Sequence, residues 1–478
     1  VKHARPDDHE PTPEPVPADE RFAPPAVRAE QGKALRKHCP RSDHGRALLG
    51  QGDRDPLALI EASNEGRLEA LLPVRFARMT ESAFAFFRGT AVLQAHDLAG
   101  TPCAGPVVQC CGDCHLMNFG GFATPERALV FDINDFDETH PGPFEWDVKR
   151  LATSCVLAAR WLAFAPADAR ATARTVASSY RETLAAFARK SVLDTWYATV
   201  TMEEACAEFA QEPKVLRGLR KRIESARRHT TEHVYQKITV TTGDRVRIRD
   251  QPPLLFHPAP ADLDLARDAR PFFASYAQTL VADRRALFAR FRLVDVAYKV
   301  VGVGSVGTRC MIALFDGDQG DHFFLQVKEA RTSVLEGRAG PTPYATNGER
   351  VVQGQRLMQA ASDVFLGWAR GMHGRDFYVR QLRDMKIAPS LTGYTPAALL
   401  AYGRLCGRVL ARAHAKSGDA ATISGYLGST GAFDEGITTY AVGYANQVEK
   451  DYDAFLAATR TNRFPAEPTN ADIEQAIR

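Results

Sequence analysis

The chain has 478 residues, long for one hydrophobic core, so two lobes or domains are expected. Its 60 Lys plus Arg against 57 Asp plus Glu leave a net charge of +3, too small to make nucleic acid or a membrane surface the main partner. Nine cysteines scattered along the chain argue against a disulfide framework; the polar, Pro-rich start holds no signal-peptide core, the longest apolar stretch is broken by Arg160, and a cytoplasmic location is expected.

In chain order, residues 1–45 are rich in Pro and charge and are expected to form a disordered or extended tail. Residues 46–290 are expected to form a large lobe. From Leu57 to Leu98 apolar residues recur every three or four positions, the spacing of helices with one buried face. Arg88 and Gly89 interrupt the second of these helices. An Arg on such a helix usually points to solvent or pairs with a carboxylate; leading towards the acidic loops, Arg88 has contact with phosphate as its alternative role.

Gly112 to Asp137, GDCHLMNFGGFATPERALVFDINDFD, is the most informative stretch. Asp113, His115 and Asn118 occupy a Gly-flanked loop, and Asp132, Asn134, Asp135 and Asp137 follow at the end of an apolar strand. Two such loops joined by a hairpin can face one another across a pocket. Phosphoryl transfer needs that arrangement, with one Asp to orient a hydroxyl and an Asn plus a second Asp to hold Mg²⁺ on nucleotide phosphates. Asp113 and His115 are the candidate catalytic residues; Asn118, Asp132 and Asp135 are the candidate metal ligands. Cys111 and Cys114 have C-x-x-C spacing, yet no second pair completes a zinc site, so they are expected to be buried thiols. A turn and an amphipathic helix follow in PGPFEWDVKRLATSCVLAARWLAF.

Residues 167–290 read as mostly helical, with a solvated basic face over 214–228 and a hairpin from Lys237 to Asp250 turning at Gly243 and Asp244. Residues 291–385 are expected to form a small β-rich lobe. There Gly302, Gly304 and Gly307 form GxGxxG with Ser305 inside it. The residues after it alternate instead of opening a helix, so this is a glycine loop between antiparallel strands and not a dinucleotide fingerprint. Lys328 closes the third strand, where it can face the α- and β-phosphates of a nucleotide. A helix follows, and Glu349 is the candidate to hold Lys328. HGRD at His373 to Asp376 is a decoy, since Gln381 stands where an Asn is needed. Residues 386–478 should be helices packing back on the large lobe.

The interval from Asp113 to Asn118 resembles that of a protein-kinase catalytic loop. Gly112, Asp113, His115 and Asn118 resemble the HGDxHxxN of aminoglycoside and choline phosphotransferases, with Cys111 where that family has His. That resemblance implies that Asp147 pins the catalytic-loop backbone. Kinases place the glycine loop and Lys before the catalytic loop, whereas this chain places them after it. The fold class expected is therefore α+β, a protein-kinase-like two-lobed fold in circularly permuted order. The whole chain also resembles an uncharacterised bacterial family, domain of unknown function 2252, in RGTA from Arg88, GDCHLMNFG, FDINDFDE and GQRLMQAASDVFLGW. That family brings no activity with it.

Together these readings point to an ATP- and Mg²⁺-dependent phosphotransferase acting on a hydroxyl acceptor, with a small molecule expected ahead of a protein. The alternatives are transfer of a nucleotidyl (AMP) group, nucleotide binding without catalysis, and a metal-dependent hydrolase.

Overall fold

Helices and antiparallel strands segregate along the chain of the computed structural model, an α+β arrangement that describes residues 23–46, 54–228, 231–243, 245–252, 254–257, 265–300, 302–382 and 385–466. The first helices are α1 (Pro25–Ala34), α2 (Pro56–Asn64), α3 (Leu72–Met79), α4 (Ala83–Gly89) and α5 (Ala91–Leu98). Pro stands in the first turn of α1, α2 and α3, while Asp55 and Ser82 cap α2 and α4 through side-chain oxygens. Helix α1 corrects the expectation of disorder up to residue 45; residues 1–22 lie outside the described residues.

Two short hairpin-like pairs come next. β1 (Val107–Cys110) pairs with β4 (His140–Pro143), and β2 (Phe119–Ala123) pairs with β3 (Leu129–Ile133), both antiparallel. Helices α6 (Phe144–Trp161), α7 (Pro166–Phe187), α8 (Val192–Tyr197), α9 (Met202–Glu208), α10 (Pro213–Arg228) and α11 (Thr231–Ile238) follow. Helix α10 buries Val215, Leu219, Ile223 and Ala226, an i, i+4, i+8, i+11 stripe, with its basic residues on the open side. The hairpin β5 (Thr239–Thr242) to β6 (Arg245–Ile248) forms where alternation predicts it, turning at Gly243 with φ near 60°; Asp244 is outside the described residues.

The larger sheet runs β11-β12-β10-β9-β8-β7, built from β7 (Leu255–Phe256), β8 (Phe291–Lys299), β9 (Cys310–Gly317), β10 (His322–Glu329), β11 (Gly367–Arg370) and β12 (Asp376–Gln381). Alternation sorts its faces. Phe323, Leu325 and Val327 of β10 join Phe273, Tyr276 and Phe288 in one apolar cluster, so Gln326 and Lys328 point to the opposite face. Those partners come from α12 (Leu265–Gln278) and α13 (Ala282–Phe288), and Ile248 of β6 packs on the other face with Leu255 and Phe324. The layers around this sheet thus begin well before residue 291, the boundary expected from sequence.

Helix α14 (Asn347–Met358) ends sooner than its apolar pattern suggests, with β11 starting at Gly367. Helices α15 (Pro396–Ser417), α16 (Ala420–Leu427) and α17 (Ala432–Arg460) pack on α6 and α7. Gly407 lets α15 cross α7 closely, since a Cβ there would lie 2.6 Å from the Val176 carbonyl oxygen. The end of α15 meets the start of β1, where Gln109 N donates to Ser417 Oγ at 3.2 Å. No helix among the described residues is long and apolar enough to cross a membrane.

Candidate functional site

The loop after β1 is seated by its neighbours. Gly112 has φ +83°, and a Cβ on it would lie 2.0 Å from the Glu138 carbonyl oxygen, so only glycine lets the two polar loops touch. Asp147, in the first turn of α6, accepts hydrogen bonds from Cys111 N at 2.6 Å and Gly112 N at 3.0 Å. His414 of α15 stands 3.2 Å from the same carboxylate and 2.8 Å from the Tyr180 hydroxyl. One turn along α6, Arg150 meets Asp113 Oδ1 through Nε at 2.6 Å and Nη2 at 2.5 Å. Asn118 donates Nδ2 to the Asp113 carbonyl at 2.7 Å, which leaves its Oδ1 without a partner among the described residues. His115 is 5% exposed, and burial pushes its pKa down to about 3, so it is neutral near pH 7. Cys110 and Cys114 are buried with thiols pushed up by burial, and the Cys111 thiol donates to the Asp135 carbonyl at 3.4 Å.

The second loop divides its acids. Asp132, a candidate metal ligand in the sequence, is wholly buried away from the cleft: Arg412 Nη2 and Ile133 N donate to its Oδ1 at 2.7 and 2.9 Å, and Ala360 N to its Oδ2 at 2.8 Å. Its oxygens are occupied, so the metal role expected of Asp132 is corrected. Asp135 and Asp137, three and five residues on, stand in the cleft. Asp137 accepts from Lys328 Nζ at 2.6 Å and from the Tyr378 hydroxyl at 2.6 Å, while Asp135 lies 3.9 Å from the same ammonium. Burial works against the Lys328 charge, but Asp135 and Asp137 outweigh it and hold the ammonium well above its ordinary range. Burial likewise opposes ionisation of Asp135, yet Lys328 and Arg380 leave its carboxyl below the usual range.

The partner expected for Lys328 is also corrected. Glu349 spends its carboxylate on the N-terminal turn of α14, accepting from Ala345 N at 3.3 Å, while Thr346 caps Glu349 N at 3.1 Å. Its neighbour Arg350 does the joining instead, donating to the carbonyls of Asp137, Arg331 and Thr139.

The glycine loop bridges β8 and β9, and Gly302, Gly304 and Ser305 line the cleft; Gly307 sits behind them, its carbonyl accepting from Leu68 N at 2.7 Å. Arg75 and Arg78 of α3, and Arg67 from the turn after α2, hold this loop by its carbonyls. Arg75 reaches Val303 and Gly304 at 3.2 and 2.9 Å, Arg67 reaches Val306 at 2.6 Å, and Arg78 reaches Gly302. Burial lowers the pKa of Arg75 and brings Arg67 down to about 10, with like charges adding to both.

The resulting cleft encloses about 1200 Å³ including its open mouth. Asp113, His115, Asn118, Asp135 and the glycine loop line it together, from segments nearly two hundred residues apart, as the 191-residue separation of Asp137 and Lys328 shows. Sequence reasoning missed Arg150, Tyr378 and the arginines beneath the glycine loop. Arg150 had a local signal, since it lies three residues after Asp147 on one helix face; the others are brought in only by tertiary packing. Among the described residues no three His, Cys, Asp or Glu side chains converge as a metal cage.

An α+β chain with a glycine loop, a carboxylate-paired Lys and an Asp/Asn loop around one cleft is the class of protein defined here. The chain belongs to the family described as "uncharacterized protein conserved in bacteria" (DUF2252), which matches residues 67–458. No curated protein and no solved structure matches it.

Proposed function

We propose that this protein is a circularly permuted, kinase-like phosphotransferase that uses ATP and Mg²⁺. The observation that carries the reading is the convergence on one cleft of the glycine loop, Asp113 with Asn118, and Asp135 with Asp137, the last two backed by the buried Lys328. Asp113, fixed by Arg150, orients an acceptor hydroxyl and takes its proton. The free Oδ1 of Asn118 and the carboxylate of Asp135 are hard oxygen donors, and one or two such groups suffice where phosphates and water complete the octahedron. When bound, Mg²⁺ neutralises charge on the transferred phosphoryl group. Lys328, paired with the cleft-lining Asp137, exchanges that carboxylate for phosphate oxygens when nucleotide binds, and the backbone of Gly302 to Ser305 lines the cleft where it can cradle the phosphates.

The permuted order also has a geometric support. In phosphotransferases a helix leads straight into the catalytic loop; here the equivalent helix, α15, ends against β1 at the Ser417–Gln109 contact, 308 residues away in sequence. A hydroxylated small molecule is the favoured acceptor.

Calorimetry of ATP with and without Mg²⁺ tests this on wild type, Lys328→Ala and Asp135→Asn. Mg²⁺-dependent binding that is weakened in both variants is expected. A wild-type protein that binds no nucleotide under either condition sinks the proposal. Intact mass of a labelled product then separates phosphoryl from nucleotidyl transfer.

A further inference from the structure

Four guanidiniums line the cleft, those of Arg67, Arg75, Arg88 and Arg331, and none forms an ion pair with a described carboxylate. Three of them spend their donors on the fold. Arg67 and Arg75 hold the glycine loop, and Arg331 donates to the Ser63 and Glu65 carbonyls at 3.0 and 2.6 Å. Arg88 differs. It donates to no described group, its Nε is buried without a partner, and its guanidinium rests only on the Phe84 ring at 5.9 Å. Arg88 is only partly buried, but its guanidinium is committed to no ion pair or hydrogen bond among the described residues, so its donors are available to an anion entering the cleft.

The position of Arg88 says which anion. The carboxylate that acts on it most strongly is Asp113, whereas Lys328 answers to Asp135 and Asp137 on the sheet side. His115, also on the Asp113 side, has an Nδ1 that is buried and unpartnered, and its Nε2 is 3.8 Å from Asp113 Oδ2. Arg88 therefore lines the cleft near Asp113 and His115, with its backbone carbonyl against Gly304 of the glycine loop, while Lys328 stays paired to Asp137 behind the lining acids.

We propose that Arg88, with His115 beside it, binds an anionic group of the acceptor, a phosphate or a carboxylate, while the acceptor hydroxyl lies at Asp113. The substrate class is then a hydroxylated small-molecule anion, not a neutral sugar, amino alcohol or cationic aminoglycoside. The acceptor assignment rests on the phosphotransferase reading; the anion site does not.

The test is calorimetric titration of the full chain with inorganic phosphate and, separately, acetate, after filling the nucleotide site with Mg²⁺ and a non-hydrolysable ATP analogue. Expected is anion binding that persists in the filled protein, weakens at least about tenfold in Arg88→Gln, and returns in Arg88→Lys. ATP affinity in Arg88→Gln should change less than about twofold by the same measure. The tighter of the two probes identifies phosphate or carboxylate. Loss of anion binding on filling the nucleotide site, or an Arg88→Gln defect as large for ATP as for phosphate, makes Arg88 a nucleotide ligand and overturns the proposal; so does the absence of any anion binding. A protein that binds no ATP but loses phosphate in Arg88→Gln keeps the anion site and removes the phosphotransferase reading beneath it. Should Arg88→Gln fail to fold, the filled-site titration of wild type and of Arg88→Lys still decides.

Discussion

Two cation–carboxylate pairs tie distant parts of this chain together, and their surroundings differ. Arg412 meets Asp132 at 2.7 Å with both side chains at most 2% exposed, and backbone N–H groups of Ile133 and Ala360 occupy the same carboxylate. Lys328, 4% exposed, meets Asp137 at 2.6 Å just behind the wall of the cleft, which Asp137 and Asp135 line at 27% and 41% exposure. The first pair is closed to exchange. The second faces a space in which another anion can take the place of a carboxylate. Acids three to five residues apart, each paired with a distant cation, are thus structural in one case and face the cleft in the other.

The comparison breaks hardest at the closed pair. Asp132→Ala strands the Arg412 guanidinium in the core and should cost about 3–5 kcal/mol, read as a lowered urea midpoint. Asp132→Leu combined with Arg412→Met should recover most of that loss, because it removes both charges. At the open pair the order inverts: Lys328→Ala should weaken ATP by about tenfold or more in calorimetry while costing less stability than Asp132→Ala. Equal stability losses at the two pairs would erase the distinction.

A smaller effect sharpens it through pH. Burial holds His115 neutral, with its pKa lowered from 6.5 to about 3 in the folded protein. Below about pH 6.5 the unfolded chain takes up a proton that the folded one refuses, so stability is full above that range and falls as pH drops towards 3. His44, also buried and lowered to about 3, adds to the same slope. Melting temperatures between pH 7.5 and 5 should therefore decline less in His115→Asn than in wild type.

Much of the site was legible because its parts are local. The Asp113 to Asn118 spacing, the glycine loop between alternating strands, Lys328 on the third strand and Asp147 in the first turn of its helix all lie within short windows. Asp132 misled for a physical reason: every residue of β3 is buried, so alternation cannot say which faces a cleft, and Arg412 is 280 residues away. Glu349 misled because a helix's first turn offers its acid a local use that competes with any distant Lys. Helix α1 escaped notice because it packs by glycine and not by an apolar stripe. A Cβ on Gly32 would lie 1.9 Å from the Thr422 carbonyl oxygen, and one on Gly425 would lie 2.0 Å from that of Ala29. Periodicity counts side chains, and this contact is made of backbone.

The seating of Asp147 by His414 spans 267 residues, which has a consequence for synthesis. At ordinary ribosomal speed, Asp147 leaves the peptidyl-transferase centre on the order of ten seconds to a minute before His414 is made. During that interval the loop has α6 beside it, but Asp147 lacks the histidine of α15 that seats it. Maturation of the cleft therefore waits on the last fifth of the chain, and a ribosome stalled before α15 releases a product whose cleft is unfinished.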